Sequence, residues 1–359
     1  MRLSIFTSLK LDYIRALAAL FVMLGHSRGA YFESYDNLLP AYQNQLTKIF
    51  YAYTRIGHNC VIVFFVLSGF LVGGLSLKKF SEGNLSLKNY FSKRITRIYI
   101  VVIPTLIIGG YLNYITGLTN NLEIEYFFGN LFHFQTVFFP IYGSNGPLWS
   151  LANEFWYYMI FMIIIFYFKK IKNNNISIIL SIITISFFAC IMPDITTYLM
   201  IWILGLCIPY LKNRLPKIND TTYLIFKFSF IPLIIIFDIY DGYISDLIFA
   251  FYITILLTYM ISKNKDIKTY KPLIRLSKIS FSLYTIHFPV LLYILHLLSR
   301  FLSFHRYNYL NLESLAGYLL INITMLIFSY VFYLLFEKHT TSLRYHLIKT
   351  GSRILTRAK

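Results

Sequence analysis

An arginine and a histidine stand eleven positions apart in one apolar run, Arg15 to His26 in "RALAALFVMLGH". At about 100° per residue, eleven positions are three helical turns plus roughly 20°, so both side chains share a face about 16 Å apart along the axis. Asp12, three positions before Arg15, lies on that face as well. A helix in lipid turns such a stripe toward protein or water, because polar groups facing hydrocarbon are costly. A guanidinium suits an anionic ligand, and an imidazole is poised to accept a proton near neutrality. The plainer readings are that Arg15 snorkels to headgroups and that His26 makes a packing contact.

Other polar residues in apolar surroundings extend the pattern. In "GPLWSLANEFWYY" (146–158), Glu154 sits six residues into a run, roughly 9 Å deep by helix rise. His26 lies at a similar depth in its own run. A Glu154–His26 contact is therefore expected, in which the carboxylate orients the imidazole and raises its basicity. A structural ion pair between helices is the alternative. Trp149, Trp156 and the neighbouring tyrosines read as interfacial anchors. In "NYFSKRITRIY" (89–99), Arg94 and Arg97 are one turn apart. Paired guanidiniums suit phosphate, though charge at the inner end of a span explains them as well. In "ISFSLYTIHFPVLL" (279–292), Ser280, Tyr284 and His287 follow i, i+4, i+7 and form another polar face, catalytic or merely interhelical glue. In "VIVFFVLSGFLVGG" (61–74), Ser68, Gly69, Gly73 and Gly74 allow backbones to approach.

The elements that must hold these residues are membrane helices. Of 359 residues 57% are hydrophobic and 13% charged, the balance of an integral membrane protein. Apolar runs of about the length a bilayer requires fall near 12–31, 57–77, 98–118, 148–168, 176–193, 195–211, 222–239, 244–262, 279–299 and 315–336. The expected fold is all-α, about ten spans in one bundle over 1–337, with a short basic tail, 338–359, on the membrane surface. With the N-terminus inside, the inner segments (1–11, 78–97, 169–175, 212–221, 263–278, 337–359) hold 26 of the 33 Lys and Arg. That bias predicts both termini in the cytoplasm. It also accounts for the net charge of +18, which would otherwise suggest nucleic acid. No soluble basic domain is evident, so no nucleic-acid partner is expected. Cys60, Cys190 and Cys207 lack metal-ligand spacing; the latter two fall in apolar runs and read as packing residues, and no metal site is expected. No cleavable signal peptide and no repeat is evident.

Taken in order, six stretches resemble the acyltransferase 3 family of membrane acyltransferases. They are "LDYIRALAALFVMLGHS", "VFFVLSGFLVGG", "FSKRITRIY", "GPLWSLANEFWYY", "ISFSLYTIHFPV" and "FEKHTTSLR". The family's R-x10-H element falls on Arg15 and His26, its RxxR on Arg94 and Arg97, and its WS-x3-E on Trp149, Ser150 and Glu154. Ile100 departs from the proline common in relatives, and Pro104 stands one turn further on. The resemblance implies a multi-pass enzyme of the bacterial inner membrane. It would carry an acyl group, commonly acetyl, from cytoplasmic acyl-CoA to a sugar hydroxyl of an envelope glycan or its lipid-linked precursor. It implies no permanently bound cofactor. His26 would act as general base with Glu154 in support, or as the carrier of an acyl-histidine; Arg15, Arg94 and Arg97 would hold the CoA phosphates. Trp149, Ser150, Tyr284 and His287 would line the substrate path. Some relatives carry a fused extracytoplasmic domain, which this sequence lacks; it is expected to act as the membrane core alone. A polytopic transporter or flippase for a lipid-linked glycan is the competing reading, a non-catalytic scaffold the third.

Overall fold

The computed structural model describes residues 4–135, 137–240, 242–263 and 268–357. Part of the predicted inner segment 263–278, namely 264–267, therefore lies outside the described residues. Helices dominate, and among the described residues the only β-type pairings are two isolated bridges, Phe32 with Tyr307 and Gln135 with Phe139.

The chain opens with α1 (Ile5–Tyr31), then α2 (Gln45–Arg55) and α3 (Gly57–Ser68). A π-helical turn, Gly69–Gly74, leads from α3 into α4 (Leu75–Ser81). Next come α5 (Leu87–Thr116), α6 (Ile124–Leu131), α7 (Trp149–Lys170) and α8 (Asn174–Ile191). The short α9 (Pro193–Thr197) precedes α10 (Leu199–Leu211), α11 (Asp220–Phe228) and α12 (Phe230–Ile239). The last elements are α13 (Tyr243–Lys263), α14 (Lys271–Leu302), α15 (Leu312–Leu335) and α16 (Thr340–Arg357).

Every predicted span falls on these helices, and the helical path breaks between α8 and α9, just before Pro193. Nine helical runs among the described residues are long and apolar enough to cross a membrane. The first predicted span, α1, is not among them: it is 27 residues long but carries Asp12, Arg15, His26 and Arg28. It packs against α14, α3 and α15, so protein rather than lipid receives much of its polar face. Several helices begin before their apolar runs, because polar caps start them. Ser4 accepts from Thr7 N (3.1 Å), which puts the start of α1 inside the predicted terminal segment. Ser86 does the same for α5 through Asn89 N (3.3 Å).

A close helix crossing brings α3 with its π-turn against α10. A Cβ at Gly205 would lie 2.1 Å from the Val66 carbonyl oxygen, and one at Gly69 would lie 1.9 Å from that of Trp202. Only glycine fits there, the small-residue packing that membrane bundles use. The approach lets Trp202 donate its indole N–H to Ser68 Oγ (3.2 Å), which also pairs with the Tyr158 hydroxyl (2.9 Å). At the periphery, α8 exposes Ile179, Ile182, Ile183 and Phe187, a surface suited to lipid. Cys190, expected to pack inside, is exposed on that helix instead. The predicted tail is α16, which packs on α5 after a tight turn at Glu337–His339.

Candidate active site

Three arginines from two helices converge on one cavity. Arg15 comes from α1, Arg94 and Arg97 from the N-terminal half of α5, and α7 and α14 add Ser150, Glu154, Ser280 and Tyr284 to the lining. Its volume is about 130 Å³, room for several waters. Arg15 pairs with Asp12 (2.8 Å), the one helical turn the sequence spacing anticipates. Glu337, at the elbow after α15, accepts from Ser282 N (3.1 Å) and Oγ (2.6 Å) and sets its carboxylate within electrostatic reach of Arg15 and Arg97. Among the described residues, Arg94 and Arg97 form no ion pair. Instead their guanidiniums lie over rings, Arg94 over Tyr90 and Tyr158 at 5.8 Å each, and Arg97 over Phe281 at 5.6 Å. The Nε groups of Arg15 and Arg94 are buried without a partner. Buried donors left unsatisfied are costly, and these two stand open to an acceptor.

Histidines form a second cluster, outside the cavity lining. His26 Nδ1 lies 2.8 Å from His287 Nε2, with the two rings nearly coplanar, 6° apart. His287 Nδ1 faces the carbonyl oxygens of Leu283 (2.8 Å) and Tyr284 (2.9 Å). Carbonyls only accept, so this nitrogen carries the hydrogen. In the neutral ring the other nitrogen then accepts, and His26 Nδ1 must donate to it. That leaves His26 Nε2 with its lone pair and no described partner, on a residue that is only partly buried. The arrangement presents one basic nitrogen in a fixed direction.

Tyr284 joins the two clusters. Its carbonyl receives His287, while its phenol enters the cavity and donates to Pro147 O (2.7 Å). The Ser150 hydroxyl makes a close contact with the same phenol. Two residues before Pro147, Asn145 donates to Thr285 O (2.9 Å), so the start of α7 is tied to the α14 turn that carries the histidine.

The geometry separates some residues that sequence depth placed together. Glu154 does not contact His26; it lines the arginine cavity, and His287 occupies the orienting position instead. Matching depth on two helices says nothing about which face each presents, which explains the difference. Trp149 lies away from the cavity lining, packed on Phe65 and Tyr198 at 6.0 and 5.5 Å. Asn145 carried no sequence signal beyond being polar beside an apolar run, and Glu337 stands in the stretch "FEKHTTSLR" without a role following from it. His133 was also missed. It is buried against Phe155 with neither ring nitrogen partnered, on a left-handed backbone (φ 61°).

Comparison with known proteins places this architecture. A family profile described as an acyltransferase domain matches residues 8–334. An uncharacterized protein of Haemophilus influenzae is 29% identical over 134 residues, 34% of this chain and 55% of that protein. The chain thus spans about half the length of that relative. No solved structure matches. With the profile running over nearly its whole length, the chain belongs to the acyltransferase 3 family of membrane proteins.

Proposed function

We propose that this protein is a membrane O-acyltransferase of the bacterial inner membrane, with both termini in the cytoplasm. It takes an acyl group, acetyl in the first instance, from cytoplasmic acyl-CoA and places it on a sugar hydroxyl of an envelope glycan or its lipid-linked precursor. The observation that carries this reading is the pairing of an anion-ready arginine cavity with an oriented histidine, about 16 Å apart along one rigid helix. That interval is near the reach of an extended pantetheine arm.

Arg15, Arg94 and Arg97, which share the cavity lining, hold the donor's phosphates. The arm advances between Phe64 and Tyr284, whose rings rotate aside to admit it. His26 Nε2 takes the proton of the acceptor hydroxyl as its oxygen attacks the thioester carbonyl carbon. A C–O bond forms, the C–S bond breaks, and the proton passes to the departing CoA sulfur. His287 holds the imidazole in the competent tautomer. General-base assistance of this kind contributes about 10²–10⁴-fold in rate.

The test compares O-acetylation of envelope glycans in cells with and without the protein, alongside transfer from labelled acetyl-CoA in inverted membrane vesicles. Acetyl groups that depend on the protein in both assays are the expected result. Glycan translocation without any acetyl transfer would establish a flippase instead.

A further inference from the structure

The cavity arginines do not stand alone. Arg344, on α16, donates its Nε–H to Thr96 Oγ1 at 3.2 Å, across 248 positions of sequence. Thr96 is buried on α5 between Arg94 and Arg97, and its own hydroxyl donates to Ser92 O (2.6 Å), which turns an oxygen lone pair toward Arg344. Arg344 lies within electrostatic reach of both Arg94 and Arg97, and Lys93 within reach of Arg344, Arg94 and Lys79. Among the described residues neither Arg344 nor Lys93 has a carboxylate partner. Charge bias for topology asks only how many cations a segment holds. It does not ask that two distant helices bring theirs together against mutual repulsion, with one fixed by a directional hydrogen bond.

We infer that Lys93 and Arg344 form a second anion subsite, contiguous with the cavity but outside its lining, that binds a phosphomonoester. The inference rests on the acyl-CoA donor proposed above. In CoA the pantetheine arm ends at a diphosphate, and the 3′-phosphate hangs from the ribose at the far end. A thiol end inside the cavity puts the diphosphate beside Arg94 and Arg97, and the 3′-phosphate then falls to the cations next to that pair, Lys93 adjoining Arg94 and Arg344 bonded to Thr96 between the two. An anionic lipid headgroup carries the same phosphate chemistry, so the experiment has to separate the two.

The full-length protein in nanodiscs of zwitterionic lipid is titrated with CoA and with dephospho-CoA, which lacks only the 3′-phosphate. Wild type is expected to bind CoA about tenfold or more tightly than dephospho-CoA, the scale of a charge-assisted contact. Arg344→Gln should lose that preference by weakening CoA alone, and Arg344→Lys should recover part of it. Equal weakening of both ligands in Arg344→Gln makes Arg344 a structural residue and overturns the subsite. So does a preference that survives the substitution. Repeating the titration with phosphatidylglycerol in the nanodisc gives the lipid arm. If the preference persists in Arg344→Gln while retention on phosphatidylglycerol vesicles is lost, the site belongs to a headgroup and the inference fails. Failure of wild type to bind either nucleotide would instead reject the acyl-CoA donor, and the subsite with it.

Discussion

Replacing His287 with alanine removes the acceptor for His26 Nδ1–H and leaves the arginine cavity untouched, since His287 does not line it. The lost contact is a 2.8 Å bond between neutral ring nitrogens. Such a bond contributes about 0.5–1.5 kcal/mol net, so loss of orientation alone slows turnover roughly two- to thirteenfold. Release of the tautomer adds to that, up to the limit of about 10²–10⁴-fold for the whole general-base contribution. The expected variant therefore turns over at least severalfold more slowly with an unchanged KM for acyl-CoA. His287→Gln should recover much of the rate, because the amide oxygen reaches the place of Nε2 and accepts the same hydrogen. The assay is transfer from labelled acetyl-CoA to glycan in membrane vesicles, with kcat and KM measured separately. Wild-type turnover in His287→Ala, or no advantage of Gln over Ala, would refute the positioning role. His26→Gln, which cannot act as the base, should be nearly inactive while still binding CoA; a normal rate there would remove His26 from the mechanism.

Exchanging both Arg94 and Arg97 for glutamine should weaken CoA binding, each charge-assisted contact contributing on the order of 1.5–3 kcal/mol; unchanged affinity in detergent would return these residues to a topological role. Glu154→Gln should alter donor affinity and leave the activity–pH profile in place, because the carboxylate lines the arginine cavity and not the histidine pair; a displaced pH profile would contradict that placement. Gly205→Ala should lower Tm in detergent, since its Cβ would meet the Val66 carbonyl oxygen at 2.1 Å and overpacking costs about 1–3 kcal/mol; an unchanged Tm would mean the crossing is looser than described. For orientation, loop residues Asn145 and Asn264 suggest themselves as labelling sites, but Asn145 is buried and Asn264 lies outside the described residues. Single cysteines at the exposed Asn120 and Asn84 should react with impermeant reagent from opposite faces, Asn84 from the cytoplasm; labelling from one face would break the topology.

Local chemistry was readable from the sequence and long-range pairing was not. The helices follow from apolar runs, and the shared face of Arg15 and His26 follows from 3.6-residue geometry on an unbroken α1. Arg94 and Arg97 could be read as one cluster because a single turn separates them. The His26–His287 bond spans 261 positions and depends on how α1 and α14 rotate against each other, which no periodicity encodes. Glu154 illustrates the same limit from the other side: its depth was legible, its azimuth was not. Helix starts were lost for a different reason, since the capping serines Ser4 and Ser86 are polar and drop out of any apolar window.

The rings at Phe64 and Tyr284 meet edge to face with centroids 5.8 Å apart, and both line the arginine cavity. A living membrane stores work as an ion gradient, about 2.3 kcal/mol for each charge crossing 100 mV. A continuous thread of water from the arginines to His26 would let protons run down that gradient through the protein. His287 lies outside the cavity lining, its ring 6.3 Å from that of Tyr284. On the proposed path, the rings that part for the acyl group would also have to close that thread between turnovers.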